Sequence, residues 1–203
     1  MAIKGTTTVG VVCLDGIVLG TDRRAVSGYY IAHKHVKKIF KIDEYVAATM
    51  AGVVAEAQKV LDRVRAEVKL YKYRTKQTMS IKAIATFMSN ILFGSRTYPY
   101  VIQAIVAGVD HNGPDMYALD WFGTITRERF IATGSGSPIA IGILEAYLKK
   151  EITVDDVLPV VARAIDSAIK RDPGTGEGID IVAITRKGYR DFSDDEILEL
   201  LKK

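Results

Sequence analysis

Two blocks of strand-type alternation, each followed by a pair of segments with helical period, constrain the fold of this chain more than any other feature. In the first block, Thr6 to Leu14 is rich in β-branched residues, Asp15-Gly16 is a strong hairpin turn, and Ile17 to Thr21 returns. Tyr29 to Ala32, Val36 to Ile42 and Tyr45 to Met50 predict three further strands. After Gly52 the period changes. Val53, Ala57, Val60, Leu61, Val64 and Val68 recur at three and four residues, which predicts a helix to about Tyr71. Ser80 is placed to cap a second helix over Ile81 to Phe93, closed by Gly94. The second block holds strands at Tyr100 to Val109, Asp115 to Trp121 and Arg129 to Ala132. Helices follow over Pro138 to Lys149, with Ser137 as cap, and over Val154 to Lys170. An apolar strand, Ile179 to Thr185, and a helix, Asp194 to Leu201, come last. This order predicts an α+β fold of two antiparallel sheets covered by helix layers, and not a βαβ repeat.

Composition narrows the function classes. The 203 residues fit one domain, and 48% apolar with 26% charged residues is ordinary for a globular protein. A net charge of +4 does not call for nucleic acid or an anionic membrane. The one cysteine, Cys13, excludes an internal disulfide framework and suits a reducing compartment. No apolar run approaches the roughly 18 residues that span a bilayer, and Met-Ala-Ile-Lys-Gly is too short and mixed for a secretory signal. A cytoplasmic location is the expectation. Gly134-Ser135-Gly136-Ser137 lacks the Gly-Lys-Ser/Thr ending of a phosphate-binding loop. His33 and His35 share a strand face but lack a third metal ligand, so no metal site is expected.

Two segments do not fit a bland core. In the strand expected over Val36 to Ile42, alternation places Lys38 on one face with Val36, Phe40 and Ile42. A lysine there either snorkels out at an edge or finds a partner, and Asp22, which ends the run Ile17 to Thr21, is the best candidate. The second oddity is Gly5-Thr6-Thr7-Thr8 at a strand start. A threonine hydroxyl needs a base to become a nucleophile. Cleavage between Gly5 and Thr6 would give Thr6 an α-amine with an unperturbed pKa of about 7.7–8.0. A positive Lys38 nearby would favour the neutral amine, the form that takes a proton. An ordinary strand start and a solvated Asp22-Arg23-Arg24 turn are the plain alternatives.

Taken in order, these segments resemble archaeal proteasome β subunits. The resemblance rests on Gly5-Thr6-Thr7-Thr8-Val9-Gly10, Asp22-Arg23-Arg24, Lys37-Lys38-Ile39, Met50-Ala51-Gly52, Gly134-Ser135-Gly136-Ser137 and Arg171-Asp172. It implies an N-terminal-nucleophile hydrolase fold, a four-layer αββα sandwich, and a threonine endopeptidase that degrades unfolded polypeptides. Residues 1–5 would be a propeptide removed autocatalytically between Gly5 and Thr6, leaving residues 6–203 as one domain. Thr6 would be the nucleophile, with Asp22 and Lys38 as its charge network and Ser135, Asp172 and Thr175 in support. The amide of Gly52 would face the oxyanion. Ala25, Val36, Met50, Val54 and Gln58 would line the specificity pocket, which favours cleavage after apolar residues. No cofactor is implied. The implied partners are proteasome α subunits and other β subunits, in four stacked seven-membered rings fed by an ATP-dependent unfoldase. Two positions depart from the family's pattern: Thr175 replaces a serine, and Val26 stands where threonine is usual. An unprocessed, non-catalytic β subunit of a mixed ring is the alternative reading.

Overall fold

β-Branched alternation yields to helical period where the sequence predicts it, and the computed structural model describes residues 5–203 of the result. Residues 1–4, and with them most of the expected propeptide, lie outside the described residues. The first block gives six strands: β1 (Thr7–Val12), β2 (Gly16–Asp22), β3 (Ala25–Ser27), β4 (Tyr30–His33), β5 (Ile39–Asp43) and β6 (Val46–Gly52). Helices α1 (Val54–Thr75) and α2 (Ile81–Gly94) follow. The second block gives β7 (Ile102–Asp110), β8 (Gly113–Leu119), β9 (Ile125–Arg127) and β10 (Phe130–Gly134). The chain then runs through α3 (Ser137–Tyr147), α4 (Val154–Arg171), β11 (Ile179–Thr185), β12 (Gly188–Asp191) and α5 (Asp194–Lys202).

The strands build two five-stranded antiparallel sheets, ordered β10-β1-β2-β11-β12 and β5-β6-β7-β8-β9, with β3-β4 as a separate hairpin. Three apolar layers hold the sandwich together. Ile17, Leu19, Ile105, Met116, Val182 and Ile184 fill the space between the sheets. Helices α1 and α2 cover the second sheet through residues such as Leu61, Val64, Ile84 and Met88. Helices α3, α4 and α5 cover the first through Leu144, Val161, Ile165 and Ile197. The result is the four-layer αββα sandwich, each sheet buried on both faces.

Local chemistry explains the boundaries. Thr153 caps α4 in a capping box with Asp156, and Lys170 and Arg171 occupy its last turn, where cations favour the helix dipole. Helix α1 runs one turn beyond Tyr71, because the added turn is polar and exposed and leaves no apolar mark; Lys76 ends it in the left-handed region. For α3, Gly136 is the cap and not Ser137, which is the first helical residue. Strand β5 starts at Ile39, three residues later than alternation predicts, and its ladder shifts register between Lys41 and Asp43. Ile39 and Ile42 are both buried on opposite faces of the sheet, Ile39 in the layer between the sheets and Ile42 in the layer under α1 and α2.

Candidate active site

The first part of the site forms where β2 ends. Asp22 is fully buried, and four donors converge on its carboxylate. Oδ1 accepts from Lys38 Nζ at 2.6 Å and from the Thr7 amide at 3.0 Å. Oδ2 accepts from the amides of Arg24 at 3.1 Å and Gly176 at 2.9 Å. Two donors on each oxygen is the full complement a carboxylate takes. Lys38, only 5% exposed, also donates to the Arg24 carbonyl at 2.6 Å. Its burial pushes the ammonium pKa below the ordinary lysine value, and the Asp22 carboxylate opposes that shift. Lys38 precedes β5, so its inward position follows from the ion pair and not from strand alternation.

The second part is assembled from the turn before α3 and the loop after α4. Ser135 Oγ accepts from the Thr6 amide at 3.3 Å and donates to Asp172 Oδ2 at 2.5 Å. Thr175 Oγ1 donates to the same Asp172 oxygen at 2.5 Å and shares a 2.7 Å hydrogen bond with Thr7 Oγ1. Thr175 is fully buried, so its extra methyl, relative to the family's serine, is accommodated with the hydroxyl in use. Thr7 belongs to the site although the sequence reading did not single it out. Its amide reaches Asp22 and its hydroxyl reaches Thr175, so one residue joins both parts.

Thr6 lies between them, 7% exposed, at the entry to β1. Its hydroxyl donates to the Gly5 carbonyl oxygen at 2.5 Å. A cavity of about 240 Å³ opens beside it, lined by Thr6, Lys38 and Gly52 with Ala25, Val36, Met50 and Val54. Four of the five residues expected in the specificity pocket are therefore in place. Gln58 is not among the lining residues; it is exposed on α1, one position beyond Ala57, which does line the cavity. Phe40 and Val53 also line it and were not expected there, and Val26, singled out in the sequence as a departure from the family's pattern, lines it as well. For Phe40 the signal was present, since it shares the expected face with Val36. Gly52 has φ of +132°, and a Cβ there would sit 2.0 Å from the Val101 carbonyl oxygen, so only glycine fits. Among the described residues, no helix is long and apolar enough to cross a membrane, and no cluster of His, Cys, Asp and Glu is built to hold a metal.

Deeper than Thr6, a row of hydroxyls separates the site from the core between the sheets. Thr8 Oγ1 shares a 2.6 Å hydrogen bond with Thr133 Oγ1 and accepts from Thr49 Oγ1 at 3.1 Å. These residues sit on three different strands, β1, β10 and β6, so the row ties both sheets together under the nucleophile candidate.

Comparison with known proteins agrees with this architecture. The family model described as "Proteasome subunit" matches residues 3–184. The chain is 49% identical to proteasome subunit beta 1 of Pyrobaculum calidifontis, over 91% of this chain and 93% of that one. It is 47% identical to the proteasome subunit beta of Methanothermobacter thermautotrophicus, over 96% and 93%. Against proteasome subunit beta 2 of Ignicoccus hospitalis it is 45% identical over 99% and 95%. The fold, the residues around Thr6 and these similarities together place the chain in the proteasome subunit family, among the β subunits that assemble with other subunits into a core particle.

Proposed function

We propose that this chain is a threonine-type endopeptidase subunit, that Thr6 is its nucleophile, and that it matures by cleavage between Gly5 and Thr6. The observation that carries the reading is that Lys38, buried and paired with Asp22, lines the same apolar cavity as Thr6. A buried ion pair contributes little stability by itself, so its place beside a hydroxyl nucleophile candidate gives it a better reason to exist. In the precursor, Thr6 Oγ1 attacks the Gly5 carbonyl carbon and the Gly5–Thr6 amide becomes an ester. Water then hydrolyses that ester, releasing residues 1–5 and freeing the Thr6 amine. The mature residue carries both nucleophile and base: the amine takes the hydroxyl proton as Oγ1 attacks a substrate carbonyl. Lys38 keeps that amine neutral by electrostatic repulsion of its protonated form. Ser135 and Asp172 orient it, and the Gly52 amide stabilises the developing oxyanion.

The apolar lining of the cavity suits cleavage after large apolar side chains and offers no carboxylate to a basic one. Unfolded polypeptides would bind as an added strand, which makes cleavage tolerant of sequence. We further infer a cytoplasmic particle of four stacked seven-membered rings, with α subunits outside and an ATP-driven unfoldase feeding it. The test is intact mass after co-expression with the α partner, together with hydrolysis of an apolar fluorogenic peptide. The expected outcome is loss of residues 1–5 and hydrolysis that Thr6→Ala abolishes. Retention of residues 1–5 in an assembled, inert particle would favour a structural subunit instead.

A further inference from the structure

Two parts of the site come from distant segments, so something must hold them in register. The loop over residues 172–178 carries Asp172 and Thr175 and returns the chain from α4 to β11. Its backbone is irregular: Glu177 has φ of +65°, unusual for a residue with a side chain, and Gly178 has φ of +116°. Two hydrogen bonds fasten its main chain to the end of β2, from the Gly176 amide to the Asp22 carboxylate and from the Arg23 amide to the Gly176 carbonyl at 3.0 Å. The Arg24 side chain adds a third fastening. Its Nη1 donates to the Pro173 carbonyl at 2.8 Å and its Nη2 to Glu177 Oε1 at 3.2 Å, so the guanidinium spans the loop from end to end. Gly176 lies beneath it, and a Cβ there would meet the guanidinium carbon at 2.4 Å.

The main chain of the same residue serves the other part of the site. The Arg24 amide donates to Asp22 and its carbonyl receives Lys38 Nζ. We propose that Arg24, held by Glu177, is a positioning residue that sets the Lys38–Asp22 pair and the Ser135–Asp172–Thr175 group at a fixed spacing around Thr6. This rests on the peptidase reading above. The planar fork is essential, because two acceptors at different points of the loop must be reached at once. Lysine keeps the charge but offers a single point of attachment.

The proposal is tested with Arg24→Lys, Glu177→Ala and Glu177→Gln in the assembled particle, by steady-state hydrolysis of an apolar peptide across pH. A displacement of catalytic groups by about 1 Å costs on the order of 100-fold in rate, so kcat should fall about 10- to 100-fold in Arg24→Lys with KM within twofold. Glu177→Ala should follow in the same direction, and Glu177→Gln, which keeps an acceptor, should restore most of the rate. The acid limb of the kcat/KM profile should move to higher pH in Arg24→Lys, because a Lys38 held less closely raises the pKa of the Thr6 amine. Loss of thermal stability with an unmoved acid limb and unchanged kcat would overturn the proposal, leaving Arg24 a structural ion pair. Should Arg24→Lys fail to assemble, Glu177→Ala, which trims a partly exposed side chain, decides the matter by the same two readouts. An inactive wild-type particle would overturn the peptidase reading itself, whereas an active one with unaltered variants overturns the clamp alone.

Discussion

Replacing Asp22 with asparagine is the sharpest perturbation of the site, because size is preserved while half of the contacts lose their acceptor. The carboxylate receives four donors, two on each oxygen. An amide has one carbonyl and one NH2, so in either orientation the NH2 faces two donors. Turned towards Oδ2's partners, it opposes the amides of Arg24 and Gly176, which have no way to adapt. Turned towards Lys38 and Thr7, it opposes the Thr7 amide, and it finds an acceptor only when Lys38 gives up a proton. Burial already favours that loss, and Asp22 is the foremost influence resisting it. Breaking a buried pair by removing one partner costs about 3–5 kcal/mol. For a chain of 203 residues that corresponds to a fall in Tm on the order of 10 °C. Hydrolysis measured well below the lowered Tm should drop by about 10²- to 10⁴-fold, the range for a disabled acid–base system. The linkage sign follows from the same group. Between its lowered native pKa and its unfolded value of 10.5, Lys38 is neutral in the native state and protonated when unfolded, so stability rises with pH through that window. In Asp22→Asn the window should extend further down in pH. A variant that melts within 3 °C of wild type and keeps a tenth of its activity would refute the dependence of Lys38 on Asp22.

Further outcomes follow from the same geometry. Thr175→Ser removes one buried methyl and should cost about 1 kcal/mol of stability with hydrolysis within twofold, whereas Thr175→Val deprives Asp172 of a donor and Thr7 of its partner. That valine variant should lose about 1.5–3 kcal/mol and a larger share of activity; equal kinetics for the two would remove Thr175 from the site. Val36→Glu places a carboxylate in the apolar cavity and should raise the ratio of kcat/KM for an arginine-ended over a leucine-ended peptide at least about tenfold. An unchanged ratio would mean that specificity is set elsewhere. Burial, with Asp15 and Asp156 nearby, pushes the Cys13 thiol up to about 12, so iodoacetamide at neutral pH should label it only after denaturation. Labelling of the native chain would contradict that burial.

Elements with strong periodicity were legible in the sequence. The hairpin at Asp15-Gly16, the helix Ile81–Gly94 and the strand Ile179–Thr185 follow directly from turn chemistry and apolar spacing. Strands β3, β9 and β12 were not legible. They have three or four residues and none that is buried, so no apolar pattern marks them. Lys38 is the instructive case. Its inward position was inferred from a strand register that the structure does not have, and the partner was nonetheless correct, because a buried ammonium requires a carboxylate whatever the backbone does. The joining role of Thr7 was illegible, since one threonine in a run of three carries no signal of where its hydroxyl goes. Gln58 marks the opposite limit: the family resemblance implies it for the pocket, but it lies exposed on α1 and does not line the cavity.

The interior place of β1 in its sheet, between β10 and β2, bears on what a cut before Thr6 would do. Chain ends usually fray, because a terminal segment gains conformational entropy and surrenders few contacts. Here the segment that would become the terminus is laddered on both edges, with Thr7 opposite Gly134 on one side and Thr8 opposite Thr21 on the other. Severing the peptide bond would thus create a new end without new freedom. A reactive amine and hydroxyl would be held by a strand that has already lost its entropy in folding, and catalysis would incur no further ordering cost at each turnover.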